Sequence, residues 1–169
     1  TTIIANGVPH QAVTDVDARV GFEPFYAVPY QRSERTDPGR VLIVGAGTGT
    51  DVAIALRKGA QHVDAVEIDP ALLQLGRDRN PDHAYQDPRV STHVDDGRAF
   101  LERTGTKYDL ILFALPDSLT LVSGASSLRL ESYLFTEQAF EAARDHLKPG
   151  GAFAMYNFYR EGWLVDRLA

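Results

Sequence analysis

The sequence contains no cysteine, and it has only one methionine and one tryptophan among its 169 residues. Without cysteine, neither disulfide bonds nor thiolate metal sites can form, and this composition fits a reducing compartment. No apolar run approaches the length of about 18 residues that a transmembrane helix needs, and there is no signal-peptide pattern. We therefore expect no membrane contact from this segment itself and a cytoplasmic location, either alone or as the soluble domain of a larger membrane protein.

Positive charge is also scarce, since 17 lysines and arginines are outnumbered by 23 aspartates and glutamates, giving a formal net charge of −6. Nucleic-acid binding requires a basic face for the phosphates, so we expect no nucleic-acid partner. Five histidines are present, but their spacing does not resemble that of metal ligands, and we predict no metal site. They are His10, His62, His83, His93 and His146.

The most informative segment is residues 40–49, in which a run suited to a buried strand leads directly into Gly45, Gly47 and Gly49. A helical pattern follows as far as residue 58. Glycines let a backbone turn sharply and approach a ligand closely, while the free N–H groups of the helix point into the gap. This order predicts a site for a nucleotide-like ligand, although glycine turns also simply join strands to helices.

An acidic residue lies at the distance along the chain that the glycine turn predicts. Residues 63–68 suit another buried strand, and Glu67 lies 22 residues after Gly45. This spacing matches the offset of about 20 residues at which an acid binds ribose hydroxyls in dinucleotide-binding folds. A solvated loop acid is the alternative, and Asp69 fits that alternative well because Asp-Pro commonly opens a helix.

Strands and helices alternate regularly along the rest of the chain. Predicted strands cover residues 41–44, 62–67, 89–94, 108–114 and 152–157. Predicted helices cover residues 50–58, 70–78, 97–103 and 136–146. This alternation predicts an α/β fold, a Rossmann-like doubly wound and mainly parallel sheet. The stretch 118–132 lacks clear periodicity and follows the fourth strand, at the edge where ligands bind in such sheets.

The N-terminal part differs in character. Asn6-Gly7 separates two short segments of strand-forming residues, which predicts a small β-hairpin. We expect residues 1–36 to form this hairpin and a linker, and residues 37–169 to form the ligand-binding domain.

Paired acids and a glycine, Asp95, Asp96 and Gly97, end the third predicted strand. A carboxylate at this point can accept a hydrogen bond from an exocyclic amine such as that of adenine. Capping of the following helix by Asp96 explains the same residue equally well.

Six segments together resemble the class I S-adenosylmethionine-dependent methyltransferase fold, and most closely the spermidine synthase (polyamine aminopropyltransferase) family within it. They are residues 41–49, 66–70, 87–90, 95–98, 108–111 and 147–151. Each is loose alone, but they occur in the family's order and spacing. The N-terminal hairpin resembles a shortened form of that family's small β-hairpin domain.

The resemblance implies a transferase that binds S-adenosylmethionine or its decarboxylated form and acts on a small-molecule amine. Gly45, Gly47 and Gly49 would approach the methionine-derived chain, and Glu67 would hold the ribose hydroxyls. Ile68 would lie along the adenine. Asp96 would accept from the adenine amine, with Asp95 and Gly97 beside it.

This sequence departs from the family's pattern at the proton acceptor and in the glycine loop. The family's proton-accepting Asp is replaced by Ala114, and Asp117 is the best remaining candidate for the base, although it equally suits a turn cap. Thr48 replaces the acid of the glycine loop, with Asp51 close by. The resemblance therefore also permits two alternatives, a small-molecule methyltransferase or a binding module without activity.

A narrower resemblance, to bacterial spermidine-synthase-like domains, rests on residues 115–118, 126–136 and 156–161. Arg129, Glu131 and Tyr133 could line an acceptor pocket or simply order their loop. The sixth and seventh strands typical of methyltransferase-like sheets have no counterpart before residue 169. We expect either a segment cut from a longer protein or a homodimer that covers the exposed fifth strand.

Overall fold

The computed structural model describes residues 2–5, 8–31, 37–114, 134 and 136–156. Strands β1 (Thr2–Ala5) and β2 (Val8–Ala12) form an antiparallel hairpin, as the Asn6-Gly7 signal predicts. The larger sheet contains five parallel strands. These are β3 (Arg40–Val44), β4 (His62–Glu67), β5 (Val90–Val94), β6 (Tyr108–Phe113) and β7 (Leu147–Met155).

Helices connect the strands of the larger sheet. The described α-helices are α1 (Val16–Phe22), α2 (Thr50–Arg57), α3 (Pro70–Arg79), α4 (Gly97–Arg103) and α5 (Glu137–Asp145). A 3-10 helix over Pro24–Tyr30 follows α1, and a shorter one over Ala84–Gln86 follows α3. No helix in these ranges is long and apolar enough to cross a membrane.

The two central strands are buried on both faces. Residues 41–44 of β3 and 108–113 of β6 are almost wholly inaccessible, which explains why they are apolar except for Asp109. The Asp109 carboxylate accepts from the Arg40 amide and from Lys148 Nζ. One face packs on α2 and α3 through Val52, Ile54 and Leu73. The opposite face packs on α4 and α5 through Leu101 and Ala143. These two layers confirm the predicted doubly wound architecture.

The strand order β5-β4-β3-β6-β7 contains one reversal. From β3 the chain builds outward to β4 and β5, and it then returns to place β6 on the other side of β3. In open α/β sheets, ligands bind at the carboxyl ends of the strands where the order reverses. The topology therefore predicts a ligand site at the carboxyl ends of β3 and β6, where the glycine loop and Ala114 lie.

Boundaries agree within one residue for the predicted helices and for most strands, but β7 begins at Leu147 rather than at residue 152. Its pairing with β6 shifts between Tyr108↔Leu147 and Leu110↔Ala152. The Lys-Pro-Gly-Gly segment is thus accommodated as an irregularity inside the strand, with Gly150 at φ 73°. β7 is the last strand of the described sheet. The predicted domain boundary at residues 36–37 and the homodimer remain predictions.

A polar network lies on β4, away from the predicted ligand edge. Asp64 is bonded by Arg40 Nη2 at 2.9 Å and by His93 Nε2 at 3.0 Å, with His62 Nε2 3.6 Å away. Burial acts to raise the pKa of Asp64, but the hydrogen bonds from His93 and Arg40 and the nearby charges outweigh it and lower that pKa. Asp64 thereby joins three neighbouring strands.

We expect Asp64→Asn to reduce the free energy of unfolding at pH 7 by about 2 kcal/mol, since it removes charge-assisted bonds at a buried site. Because the pKa of Asp64 is lower when folded, this contribution is present above the unfolded pKa and disappears as pH falls through the folded pKa. Urea unfolding across acidic and neutral pH measures it. Asp17→Asn, at an exposed pair with Arg57, should change little. Equal stability of Asp64→Asn and Asp17→Asn at pH 7 would contradict this account.

Candidate functional site

The loop after β3 has a backbone that favours glycine at three points. Gly45, Gly47 and Gly49 have φ values of 79°, 53° and 89°, in the left-handed region that other residues rarely adopt. The amides of Gly45 and Ala46 both donate to the Val66 carbonyl oxygen, at 2.9 and 3.0 Å. The loop therefore lies against the end of β4, and it leads directly into α2.

Glu67, at the end of β4, fastens this loop. Its Oε2 accepts from the Gly47 amide at 2.8 Å, and its Oε1 accepts from the Asp69 amide at 3.0 Å. The residue is only 6% exposed. A carboxylate offers about four lone-pair sites, so these two bonds leave capacity for two further donors. The structure thus brings Glu67 to the glycine loop, and its predicted binding of ribose hydroxyls stays a prediction.

Tyr85, Asn80 and Gly76 support the glycine loop, and the sequence patterns did not indicate any of them. The Tyr85 hydroxyl lies 2.7 Å from the Gly47 carbonyl oxygen and 3.1 Å from that of Ala46, and Asn80 Nδ2 donates to the Thr48 carbonyl at 3.0 Å. Burial raises the pKa of Tyr85, so its hydroxyl stays a donor at physiological pH. Because Gly76 has no Cβ, α3 can pack closely against the Tyr85 ring and the Thr48 backbone. Asn80 is followed by Pro81, which signals a turn but not this contact.

The neighbouring strand end carries exposed apolar surface. Ile68 is 43% exposed and Val94 60% exposed, and Val94 pairs in register with Glu67. Exposed aliphatic side chains next to the carboxylate provide a surface on which a flat apolar group could pack. Val94 was not among the predicted site residues.

The acids that follow β5 have local partners. Asp96 is the N-cap of α4 and accepts from the Ala99 amide at 2.9 Å, while Asp95 forms an ion pair with Arg103. A Cβ on Gly97 would collide with the Val44 side chain, so this glycine allows α4 to pack on β3. Asp69 likewise caps α3 through the Ala71 amide at 2.8 Å, as its Asp-Pro sequence suggests.

Asp51, in the first turn of α2, is buried beside aromatic residues. Burial raises the pKa of its carboxyl to about 7, and the Tyr156 hydroxyl and Arg19 oppose this rise. Its Oδ1 has no hydrogen-bond partner within the described ranges. The sequence showed only that Asp51 lies close to the glycine loop.

The residue that follows β6 is Ala114, which has no carboxylate. Ala114 is 3% exposed, and its amide donates to the Val44 carbonyl at 2.8 Å, so it lies beside the start of the glycine loop. Asp117, Arg129, Glu131 and Tyr133 lie outside the described residues, and their predicted roles remain predictions. In the described ranges, no group of three or more histidines, aspartates or glutamates is arranged to hold a metal ion.

Gly76→Ala tests the support of the loop, because the added Cβ would come within 2.5 Å of the Tyr85 ring and 2.7 Å of the Thr48 carbonyl oxygen. We expect a loss of about 1–3 kcal/mol in unfolding free energy and faster hydrogen exchange of the Gly47 amide, measured by NMR. The matched control is Gly21→Ala in α1, where nothing lies within 4 Å. It should stabilise by about 0.4–1 kcal/mol, and equal effects of the two alanines would refute the support role.

Comparisons with known proteins identify the family of this chain. The spermine/spermidine synthase domain matches residues 28–164. A polyamine aminopropyltransferase from Prochlorococcus marinus (strain MIT 9313) is 33% identical over 120 residues, which make up 68% of this chain and 39% of that protein. The chain thus spans about two fifths of that relative's length.

Two solved structures share the fold. A spermidine synthase in complex with the transition state analogue AdoDATO superposes with a TM-score of 0.62 and 23% identity, over 77% of this chain and 44% of that one. The SAM-bound amino pentose methyltransferase CalS10 from Micromonospora echinaspora gives a TM-score of 0.51 and 25% identity, over 85% of this chain and 51% of that one. With the domain match covering most of its length, this chain belongs to the spermine/spermidine synthase domain family.

Proposed function

We propose that this domain binds decarboxylated S-adenosylmethionine or S-adenosylmethionine and transfers an aminopropyl group to a small-molecule amine. The observation that carries the proposal is the glycine loop fastened by Glu67 at the reversal of strand order. Membership of the spermine/spermidine synthase domain family supports the same reaction.

The residues of the loop fit an adenosyl ligand. Glu67 uses one lone pair of each oxygen for the loop, and its remaining capacity suits two ribose hydroxyl donors. Gly45 is partly exposed, whereas Gly47 and Gly49 are buried, so the methionine-derived chain would approach the loop at Gly45, where the absence of a side chain permits close contact. These contacts would orient the donor through the chain's own backbone and a single carboxylate.

The adenine would lie on the apolar surface of Ile68 and Val94, next to Glu67. Asp96 would contribute the acceptor capacity that its cap bond to Ala99 leaves over. Asp95, which pairs with Arg103, and Gly97, which lets α4 pack on β3, would lie beside it in the ligand site. A sulfonium donor is itself electrophilic. Catalysis would therefore rest on orientation, exclusion of water and a carboxylate that takes up the proton. Asp117 remains the sequence prediction for that carboxylate.

A methyltransferase is the second candidate. It is favoured by Ala114, which stands where polyamine synthases have their proton acceptor, and by the likeness to a SAM-bound methyltransferase at 25% identity. The two functions require different donors, since aminopropyl transfer needs the decarboxylated form.

The proposal is tested by incubating the protein with decarboxylated S-adenosylmethionine and putrescine, and then with other amines, and measuring methylthioadenosine by chromatography. We expect release that requires both the amine and the decarboxylated donor. Reactions without amine control for donor breakdown. If no amine gives methylthioadenosine, aminopropyl transfer is wrong. Methyl transfer from S-adenosylmethionine to components of a metabolite extract would then assign the methyltransferase function.

A further inference from the structure

Buried polar atoms without partners are concentrated near the beginning of α2. Seven such side-chain atoms occur in the described ranges, and five belong to this region. They are Arg19 Nε, Tyr30 OH, Thr48 Oγ1, Thr50 Oγ1 and Asp51 Oδ1. Buried polar groups in folded proteins are normally hydrogen-bonded. Such atoms require a partner beyond the described side chains, which an ordered water or a bound polar group supplies.

Asp51 differs from the other carboxylates at this edge of the sheet. Glu67 binds the glycine loop, and Asp69 and Asp96 cap helices. Asp95 is paired with Arg103. Among the carboxylates near the described strand ends, only Asp51 combines deep burial, at 6% exposure, with an oxygen that has no partner.

The position of Asp51 can be compared with that of Ala114, which replaces the proton-accepting Asp of the family's pattern. Ala114 packs in the same core cluster as Val52 and Ala53, the two residues after Asp51. The Tyr156 hydroxyl opposes the rise in the pKa of Asp51 and donates to the Tyr26 carbonyl at 3.2 Å, and the Tyr156 amide donates to the Phe113 carbonyl at 3.1 Å, one residue before Ala114. Asp51 thus lies on the same side of the sheet as Ala114.

We propose that Asp51 is the carboxylate that binds the acceptor amine and takes its proton, in place of the acid missing at position 114. This assignment rests on the proposed aminopropyl transfer. It moves the proton acceptor from the end of β6 to the first turn of α2, next to the glycine loop that would hold the donor.

Aromatic rings beside Asp51 suit an alkyl ammonium group. Phe25, Tyr26 and Tyr156 are in mutual contact, with ring centroids 4.5 to 5.6 Å apart. Such rings attract cations and pack against methylene groups. The Arg19 guanidinium already lies over the Tyr26 ring, 5.5 Å from its centroid, so an incoming alkyl ammonium group would contact the exposed Phe25. Phe25 is 46% exposed, so the group of rings extends from Asp51 to the surface.

The protonation equilibrium of Asp51 is suited to this role. A base works best when its pKa lies near the working pH, and burial places the pKa of this carboxyl at about 7. Some titratable and charged groups change the pKa of Asp51, and others have their own pKa raised by its charge. These groups come from α1, both 3-10 helices and the residue after β7. They are Arg19, Tyr26, Tyr30, Tyr85 and Tyr156.

The step balances with the groups named. The amine nitrogen forms a bond to the carbon beside the sulfonium, and the carbon–sulfur bond breaks with its electron pair remaining on sulfur. The sulfur becomes a neutral thioether and the nitrogen an ammonium. One proton then passes from that ammonium to the ionised carboxylate of Asp51, which becomes a neutral acid.

The test compares Asp51→Asn with Asp117→Asn and with Asp78→Asn, a control on the exposed face of α3. We expect Asp51→Asn to bind methylthioadenosine like the wild type but to lose at least about 100-fold in transfer rate. The wild-type rate should rise as pH increases through about 7, and this inflection should be absent from Asp51→Asn but present in Asp78→Asn. Asp51→Glu, which restores the carboxylate, should restore the inflection.

Stability gives a readout that does not depend on turnover. The folded pKa of Asp51 is above its unfolded value, so the stability from its protonation is complete at low pH and is lost as pH rises through about 7. Asp51→Asn should not show this loss and should resist urea better than the wild type at pH 8.

The outcomes separate the two proposals. Transfer by Asp51→Asn at the wild-type rate, with the inflection intact, would overturn the role of Asp51 alone. The same holds if Asp117→Asn, and not Asp51→Asn, removes the inflection. Absence of methylthioadenosine release from the wild type would overturn the proposed function, and the role of Asp51 with it.

Discussion

The contact between the Glu67 carboxylate and the Gly47 amide is the interaction on which the site depends. It joins the end of β4 to the loop after β3, while the other carboxylate oxygen holds the amide of Asp69 before α3. A single side chain therefore fixes the positions at which two helices begin. Because Glu67 is buried, these charge-assisted bonds are shielded from water and are stronger than they would be at the surface.

The rest of the loop is arranged so that this contact can form. Tyr85 and Asn80 hold the carbonyl oxygens of the loop from the opposite side, and Gly76 leaves them room. With these carbonyls and the Gly47 amide already bound within the protein, the loop would receive a ligand at Gly45, its partly exposed residue, without rearrangement. Preorganisation of this kind lowers the entropic cost of binding.

Much of the fold followed from the sequence because its signals are local. Apolar runs gave the central strands, and Asp69-Pro70 and Gly97 marked helix starts within one residue. The offset between Gly45 and Glu67 reflects the length of one βαβ unit, and the structure places Glu67 in contact with the Gly47 amide, while its predicted binding of ribose hydroxyls stays a prediction. The early start of β7 could not be predicted, since a Pro-Gly-Gly segment inside a strand is explained only by its irregular pairing with β6.

The supporting residues could not be predicted because they act across long separations. Tyr85 reaches the loop over 38 residues of sequence, and no periodic pattern encodes such a contact. Asp51 shows the same limit in another form. Its sequence position next to the glycine loop was visible, but its burial beside Tyr26, Tyr30 and Tyr156 depends on the 3-10 helix Pro24–Tyr30 and on the residue after β7. A buried carboxylate with an unpaired oxygen lowers stability at neutral pH, and such costs are typical of functional positions.

The central claim is that Glu67 holds both the loop and the ribose of an adenosyl ligand. Calorimetric titration of methylthioadenosine into the wild type and into Glu67→Gln tests it most directly, because glutamine keeps one acceptor oxygen but loses the charge and the second acceptor. The account predicts saturable binding to the wild type and an affinity about 10- to 100-fold lower for Glu67→Gln. Absence of binding to the wild type, or equal affinity of the two proteins, would contradict it.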